Sequence, residues 1–222
     1  MIEQIFPNVE WPVMWEATYE TIYMTVISVV ITFILGLALG LLLFLTSKGN
    51  LWENKIVYAI TTAFVNIFRS IPFIILIVLL IPFTRFLLGT IRGADAALPA
   101  LIIGAAPFYA RMVEIALREI DKGVIEAARS MGAKVSTIVM KVLIPESLPA
   151  LISGITVTAI ALVGYTAMAG VIGAGGLGNL AFLDGFQRSR DDVTLAATII
   201  ILVIVFIIQF FGDFFTNKLD KR

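Results

Sequence analysis

Chemistry on a substrate requires a nucleophile, an acid–base pair or a set of metal ligands, and this sequence offers little of any of them. The 222 residues include no cysteine and no histidine. That removes disulfides, thiol nucleophiles, the usual zinc sites and Ser-His-Asp catalysis. Neither a buried Asp pair nor a Ser–Lys dyad is evident, so no catalytic residue and no metal site is assigned. No Gly-x4-Gly-Lys-Ser/Thr phosphate loop occurs. The stretch Gly173-Ala174-Gly175-Gly176-Leu177-Gly178 lacks the lysine and reads as a tight bend. What remains is Arg69 inside an apolar run, Tyr165 and Met168 among small residues, and a mixed segment around Glu126 with regular apolar spacing. Exposing Arg69 to lipid would cost at least about 2.5–3.5 kcal/mol. It should therefore face protein, water or a headgroup; structural pairing, snorkelling and substrate contact all stay open for it.

These residues must be positioned by membrane helices. The chain is 59% hydrophobic and only 14% charged, and its mean hydropathy is +1.00. A soluble domain is typically about 45–50% apolar and about a quarter charged. This chain cannot hide its apolar surface in its own core, so its solvent must be lipid. Zero net charge gives no sign of nucleic acid binding. Five stretches approach the length of a transmembrane helix, at about 21–46, 56–83, 96–112, 147–170 and 193–212. Gly36 and Gly40 in the first form a small-xxx-small pair suited to close helix packing. Arg69 interrupts the second, and Pro72 and Pro82 lie inside it or near its end. The third is short, apolar only between Asp95 and Arg111, and contains Pro99 and Pro107. With no linker and no internal repeat, an all-α polytopic membrane protein of one domain, 1–222, is the expectation.

Basic residues orient the spans. Eleven lie between spans one and two, between three and four, or after span five: Lys48, Lys55, Arg111, Arg118, Lys122, Arg129, Lys134, Lys141, Lys218, Lys221 and Arg222. Four lie on the other side: Arg85, Arg92, Arg188 and Arg190. The tail before Thr21 carries Glu3, Glu10, Glu16 and Glu20 and no basic residue, unlike the start of a cleavable signal peptide. The N-terminus is expected outside and the C-terminus in the cytoplasm.

The segment 113–146 is then the one sizeable cytoplasmic loop. Val124, Ala128, Met131, Val135, Ile138, Val139 and Val142 recur at helical spacings. Gly123 and Gly132 read as breaks or turns, and Pro145 as a stop before the fourth span. Periodicity alone fits an amphipathic surface helix on lipid headgroups as well as a docking element.

Motif spacing separates those two. Glu126-Ala127-Ala128, three residues, Gly132, nine residues and Val142-Leu143-Ile144-Pro145 resemble the E-A-A-x3-G-x9-I-x-L-P loop of ABC importer permeases, with Val142 and Ile144 as aliphatic variants. The resemblance implies a coupling helix that inserts into a groove on a separate ATPase subunit, with Val124, Ala127, Ala128 and Met131 as the docking face. Glu126 either touches the ATPase or braces the loop through Arg129. Further blocks resemble the methionine-uptake permeases: Asn66-Ile67-Phe68-Arg69-Ser70-Ile71-Pro72, Gly104-Ala105-Ala106-Pro107-Phe108, Ala110-Arg111-Met112-Val113-Glu114, Leu162-Val163-Gly164-Tyr165 and the glycine stretch. That family implies the type I ABC importer permease fold and a homodimer in the bacterial cytoplasmic membrane. It also implies two ATPase copies holding ATP and magnesium, and an external lipoprotein that delivers methionine, D or L. Another amino acid or a short peptide is the alternative substrate. The flexible thioether of Met168, set among small residues, either lines a gate at a two-fold axis, with Tyr165 and Arg69 near the pathway, or packs in the core.

Three rivals have less support. A secondary transporter commonly has internal repeats or membrane-buried carboxylates, and no carboxylate falls within the spans as drawn. An intramembrane enzyme lacks its catalytic groups. An ABC exporter subunit would commonly have six spans.

Overall fold

A computed structural model describes residues 6–220. Glu3, Lys221 and Arg222, used above for orientation, lie outside them. Ten α-helices are described: α1 (Trp11–Thr46), α2 (Lys55–Ser70), α3 (Phe73–Leu79), α4 (Ile81–Leu88), α5 (Ala94–Arg118), α6 (Lys122–Ser130), α7 (Val135–Ile138), α8 (Ile144–Ala169), α9 (Gly176–Asn179) and α10 (Asp191–Leu219). Wider π-helical turns occupy Val139–Leu143, Gly170–Ala174 and Leu180–Phe186. No strand occurs among the described residues.

Four uninterrupted stretches are long and apolar enough to cross a membrane: α1, α5, the run Val135–Ala174 and α10. Helices α2 and α3 supply a fifth if taken as one broken span. The sequence-based span 56–83 is thus not one helix. It breaks at Ile71 and Pro72, because a proline in a helix interior lacks the N–H and clashes with the preceding turn. The third span is also longer than expected. Helix α5 runs past Arg111 to Arg118, 25 residues in all. It can do so because Glu114 neutralises two arginines one turn away on either side, at 2.6 Å from Arg111 Nη1 and 2.6 Å from Arg118 Nη2. Pro145 corrects a third expectation. It does not stop the helical run but sits in the first turn of α8 after the π turn Val139–Leu143. A wider turn is a usual accommodation where a regular i→i−4 bond is lost.

The described residues fall into two compact units with interleaved segments. The first takes in residues 6–31, Ile71–Gly104 and Ala159–Gln209. Its core gathers Met14 and Ala17 of α1, Leu177 and Leu180, and Val193 and Ala197 of α10. Asn8 fastens the incoming chain: its backbone N–H and its side-chain amide donate to the two oxygens of Asp192, at 2.7 and 3.1 Å. Thr18, Thr21 and Thr25 are buried on α1, each donating to the carbonyl four residues back. That internal satisfaction makes hydroxyls tolerable at membrane depth.

The second unit comprises Thr32–Ser70, Ala105–Thr158 and residues 210–220. Here the small-xxx-small pair performs as anticipated. A Cβ on Gly36 would come 2.7 Å from Tyr109 Cδ1, and one on Gly40 2.5 Å from Val113 Cβ. Only glycine lets α1 approach α5 this closely. Tyr109 is fully buried there and donates its hydroxyl to the Leu151 carbonyl at 3.2 Å. The core continues through Phe44, Leu117, Ile138 and Leu143.

Candidate functional site

The loop after α5 is built by three local devices. Asp121 caps α6, accepting the Gly123 N–H at 2.6 Å, so Gly123 lies within the first turn and does not break the helix. At the other end Gly132 takes φ +77°, the left-handed conformation that ends a helix readily only for glycine. Its N–H donates to the Arg129 carbonyl at 2.9 Å, and the Ala133 N–H to that of Ala128 at 3.2 Å. The chain then re-enters helix at Val135 and continues through the π turn and Pro145 into α8.

Helix α6 has two apolar edges. Ala128 is buried and packs with Ile125 against the core of Phe44, Leu117 and Ile138. Val124, Ala127 and Met131 stand on the adjoining edge in the open, Met131 at 81% exposure. The expected docking face therefore loses one member. Ala128 is the anchor that seats α6 on its own subunit, since burial of one edge is what orients a nine-residue helix. Glu126 is exposed and forms no ion pair with Arg129 or any other described residue. Of its two readings, the brace through Arg129 has no counterpart in the structure. Gly132 and Pro145 are exposed turn and helix-entry positions.

The pathway candidates fall in three environments. Met168 is exposed (46%), with Gly164 open one turn before it. Val171, three residues further on, is exposed as well. Core packing is thus not the role of Met168 within this chain. Tyr165 is half-buried and stacks on Phe73, ring centroids 4.4 Å apart and nearly coplanar at 4°. Phe73 in turn lies over Gly104, whose Cβ would come 3.3 Å from its ring. Arg69 sits exposed in the last turn of α2, just before the break, with no ion pair among the described residues. A cation there suits the carbonyl end of the helix.

The glycine stretch forms the bend foreseen for it. Gly173, Gly175 and Gly176 have φ of +99°, +82° and +77°. Gly170 and Gly178 allow the two arms to touch backbone to backbone. Glu20 and Thr21 of α1 hold the bend, accepting the N–H groups of Gly176 (2.6 Å) and Leu177 (2.9 Å).

Residues 34–222 match the family model for the binding-protein-dependent transport system inner membrane component. The chain belongs to that family. This permease is 69% identical, over all 222 residues of both chains, to the methionine import system permease protein MetP of Bacillus subtilis (strain 168). It is 49% identical over 181 residues to a probable D-methionine transport system permease protein MetI of Pasteurella multocida, covering 82% of this chain and 83% of that one. Among solved structures, it superposes with a TM-score of 0.93 on a chain of the inward-facing MetNI methionine ABC transporter. Identity there is 46%, over 96% of this chain and all of the other. An amino acid ABC transporter with histidines shares the fold at TM-score 0.76 and 20% identity. The permease is an all-α, multi-pass membrane protein with the type I ABC importer permease fold.

Sequence reading missed Glu114 as a site of interest. It is buried to 1%, inside a span once that span is drawn at its true length. The signal was present in the spacing Arg111-x2-Glu114-x3-Arg118, which puts both cations within one turn of the carboxylate. Both its oxygens are occupied by arginines, so it does not resemble the free membrane carboxylate of an ion-coupled transporter.

Proposed function

We propose that the chain is the transmembrane subunit of an ATP-driven methionine importer. The observation that carries this is identity of 69% along the full length of a methionine import permease, joined to a loop helix that leaves an apolar edge of Val124, Ala127 and Met131 uncovered. The chain pairs with a second copy of itself and with two ATPase subunits, which hold the ATP and magnesium. It accepts substrate from an external binding lipoprotein. Charge distribution favours an external N-terminus and a cytoplasmic C-terminus, which puts α6 on the ATPase side.

The cycle needs no chemistry on the substrate. ATP binding draws the ATPase subunits together, and α6 moves with them because its exposed edge is docked and its Ala128 edge is fixed in the core. That displacement passes into α5 and α8 and opens the pathway outward; hydrolysis reverses it. Met168 closes the pathway from an exposed position on α8.

The test is uptake into proteoliposomes holding this permease, its ATPase and its binding protein. Labelled methionine should accumulate only with internal ATP. Accumulation of a different amino acid would overturn the substrate, and accumulation driven by an ion gradient without ATP would overturn the class.

A further inference from the structure

Helix α1 ends at Thr46, and the turn after it comes beside the start of α6. A cavity of about 240 Å³ lies there, with Phe44, Ser47, Lys48, Arg118, Lys122 and Ile125 among the residues lining it. Three cations and no carboxylate line this cavity. Of the acids in the same segments, Glu114 is paired with Arg111 and Arg118, Glu53 and Asp121 accept backbone N–H groups from Gly49 at 2.9 Å and Gly123 at 2.6 Å, and Glu119 lines a different cavity. Arg118 is partly compensated by Glu114 and donates also to the Tyr58 hydroxyl at 3.2 Å. Lys48 and Lys122 form no ion pair among the described residues. They leave the cavity with a surplus of positive charge.

The location restricts what that charge meets. A 36-residue apolar helix stops at the cavity's edge, and Trp52 stands 55% exposed in the turn beyond it. An exposed indole just past the end of an apolar helix is the usual marker of the membrane–water boundary. The cavity therefore lies at headgroup level whichever side faces the cytoplasm. Phosphate is the abundant anion there, and basic recesses beside membrane helices hold anionic headgroups. The apolar walls of Phe44 and Ile125 weaken competition from water for that charge.

We propose that this cavity binds the phosphate of an anionic phospholipid headgroup, with Lys48 and Lys122 as its counter-charges and Arg118 as a fixed third donor. This goes beyond the transport reading and does not depend on the substrate.

The experiment is native mass spectrometry of the full chain, purified in detergent and incubated with phosphatidylglycerol, phosphatidylcholine or inorganic phosphate. Phosphatidylglycerol should remain bound at an occupancy at least threefold above phosphatidylcholine. Lys48→Gln with Lys122→Gln should bring it down to the phosphatidylcholine level. The paired Arg substitutions, and Lys55→Gln outside the cavity, should retain it. Should the double variant fold poorly, Lys48→Gln alone should lower occupancy part-way. Equal retention of the two lipids, or full retention by the Gln variants, would overturn the proposal. Displacement of the lipid by millimolar inorganic phosphate would assign the cavity to the free ion and overturn the lipid source. Loss of ATPase co-purification with lipid retention unchanged would assign the lysines to the protein partner.

Discussion

The Glu20 carboxylate accepts the Gly176 N–H at 2.6 Å, joining α1 to the bend that follows α8. The two residues are 156 positions apart in sequence. A hydroxyl one residue on, Thr21, repeats the arrangement with Leu177. Short polar side chains on a membrane helix thus satisfy the backbone that the glycine bend leaves unpaired, which is the condition for irregular backbone at membrane depth.

Glu20→Ala should therefore destabilise the permease by about 1–3 kcal/mol, the range for an unsatisfied buried donor, while Glu20→Gln, which keeps an acceptor, should cost less. Gly175→Ala should also destabilise, since φ of +82° is strained for alanine and its Cβ would run into the Glu20 carboxylate. Unfolding midpoints in detergent measure both. Equal midpoints for the Ala, Gln and parent proteins would show that the contact contributes nothing.

The contact between α1 and α5 predicts a size limit at Gly40. With Val113 2.5 Å from a would-be Cβ, Gly40→Val should cost about 1–3 kcal/mol as an overpacking change. Gly49→Ala meets no atom but carries φ +82°, so its cost should be backbone strain alone and smaller. Thermal unfolding of the two variants side by side separates steric from conformational effects.

Docking and seating should come apart on α6. Ala128→Asp buries a charge in the core of Phe44 and Leu117 and should impair folding of the subunit itself. Met131→Glu sits on the open edge and should leave the subunit's melting behaviour intact while weakening ATPase co-purification at least tenfold. A Met131→Glu permease that still holds its ATPase would move the contact elsewhere.

Glu114 sits between two arginines whose side chains are 35% and 51% exposed. Glu114→Gln should cost about 1–3 kcal/mol, because the buried group loses its charge-assisted bonds while the arginines still reach water. Denaturant titration reads the loss. Adding Arg118→Gln to it should cost less than the sum of the two single changes, the mark of coupled neighbours.

Met168 is open to its surroundings. Met168→Ala should fold normally and raise ATP-independent leak of methionine from liposomes. Unchanged leak in an intact complex would remove Met168 from the gate.

Much of this protein was settled by composition and spacing. A chain with so few charges must place its helices in lipid, and the run from Glu126 to Pro145 carries a register specific enough to name its family. Gly36, Gly40 and the glycines at 173, 175, 176 and 178 declared close approach and a bend, because those positions make sense only without a Cβ. Three things became clear only in the structure. Periodicity places Val124, Ala128 and Met131 on one arc but does not say where the subunit's own core ends; the core takes Ala128 and leaves its neighbours free. Charge counting ended the third span at Arg111, although burial of Glu114 between two arginines carries the helix on to Arg118. Proline signals were ambiguous, since Pro72 breaks its helix and Pro145 does not. Where the outcome depends on what lies across from the residue, as for Ala128 in the core of Phe44 and Glu20 against Gly176, the partners come from distant parts of the chain.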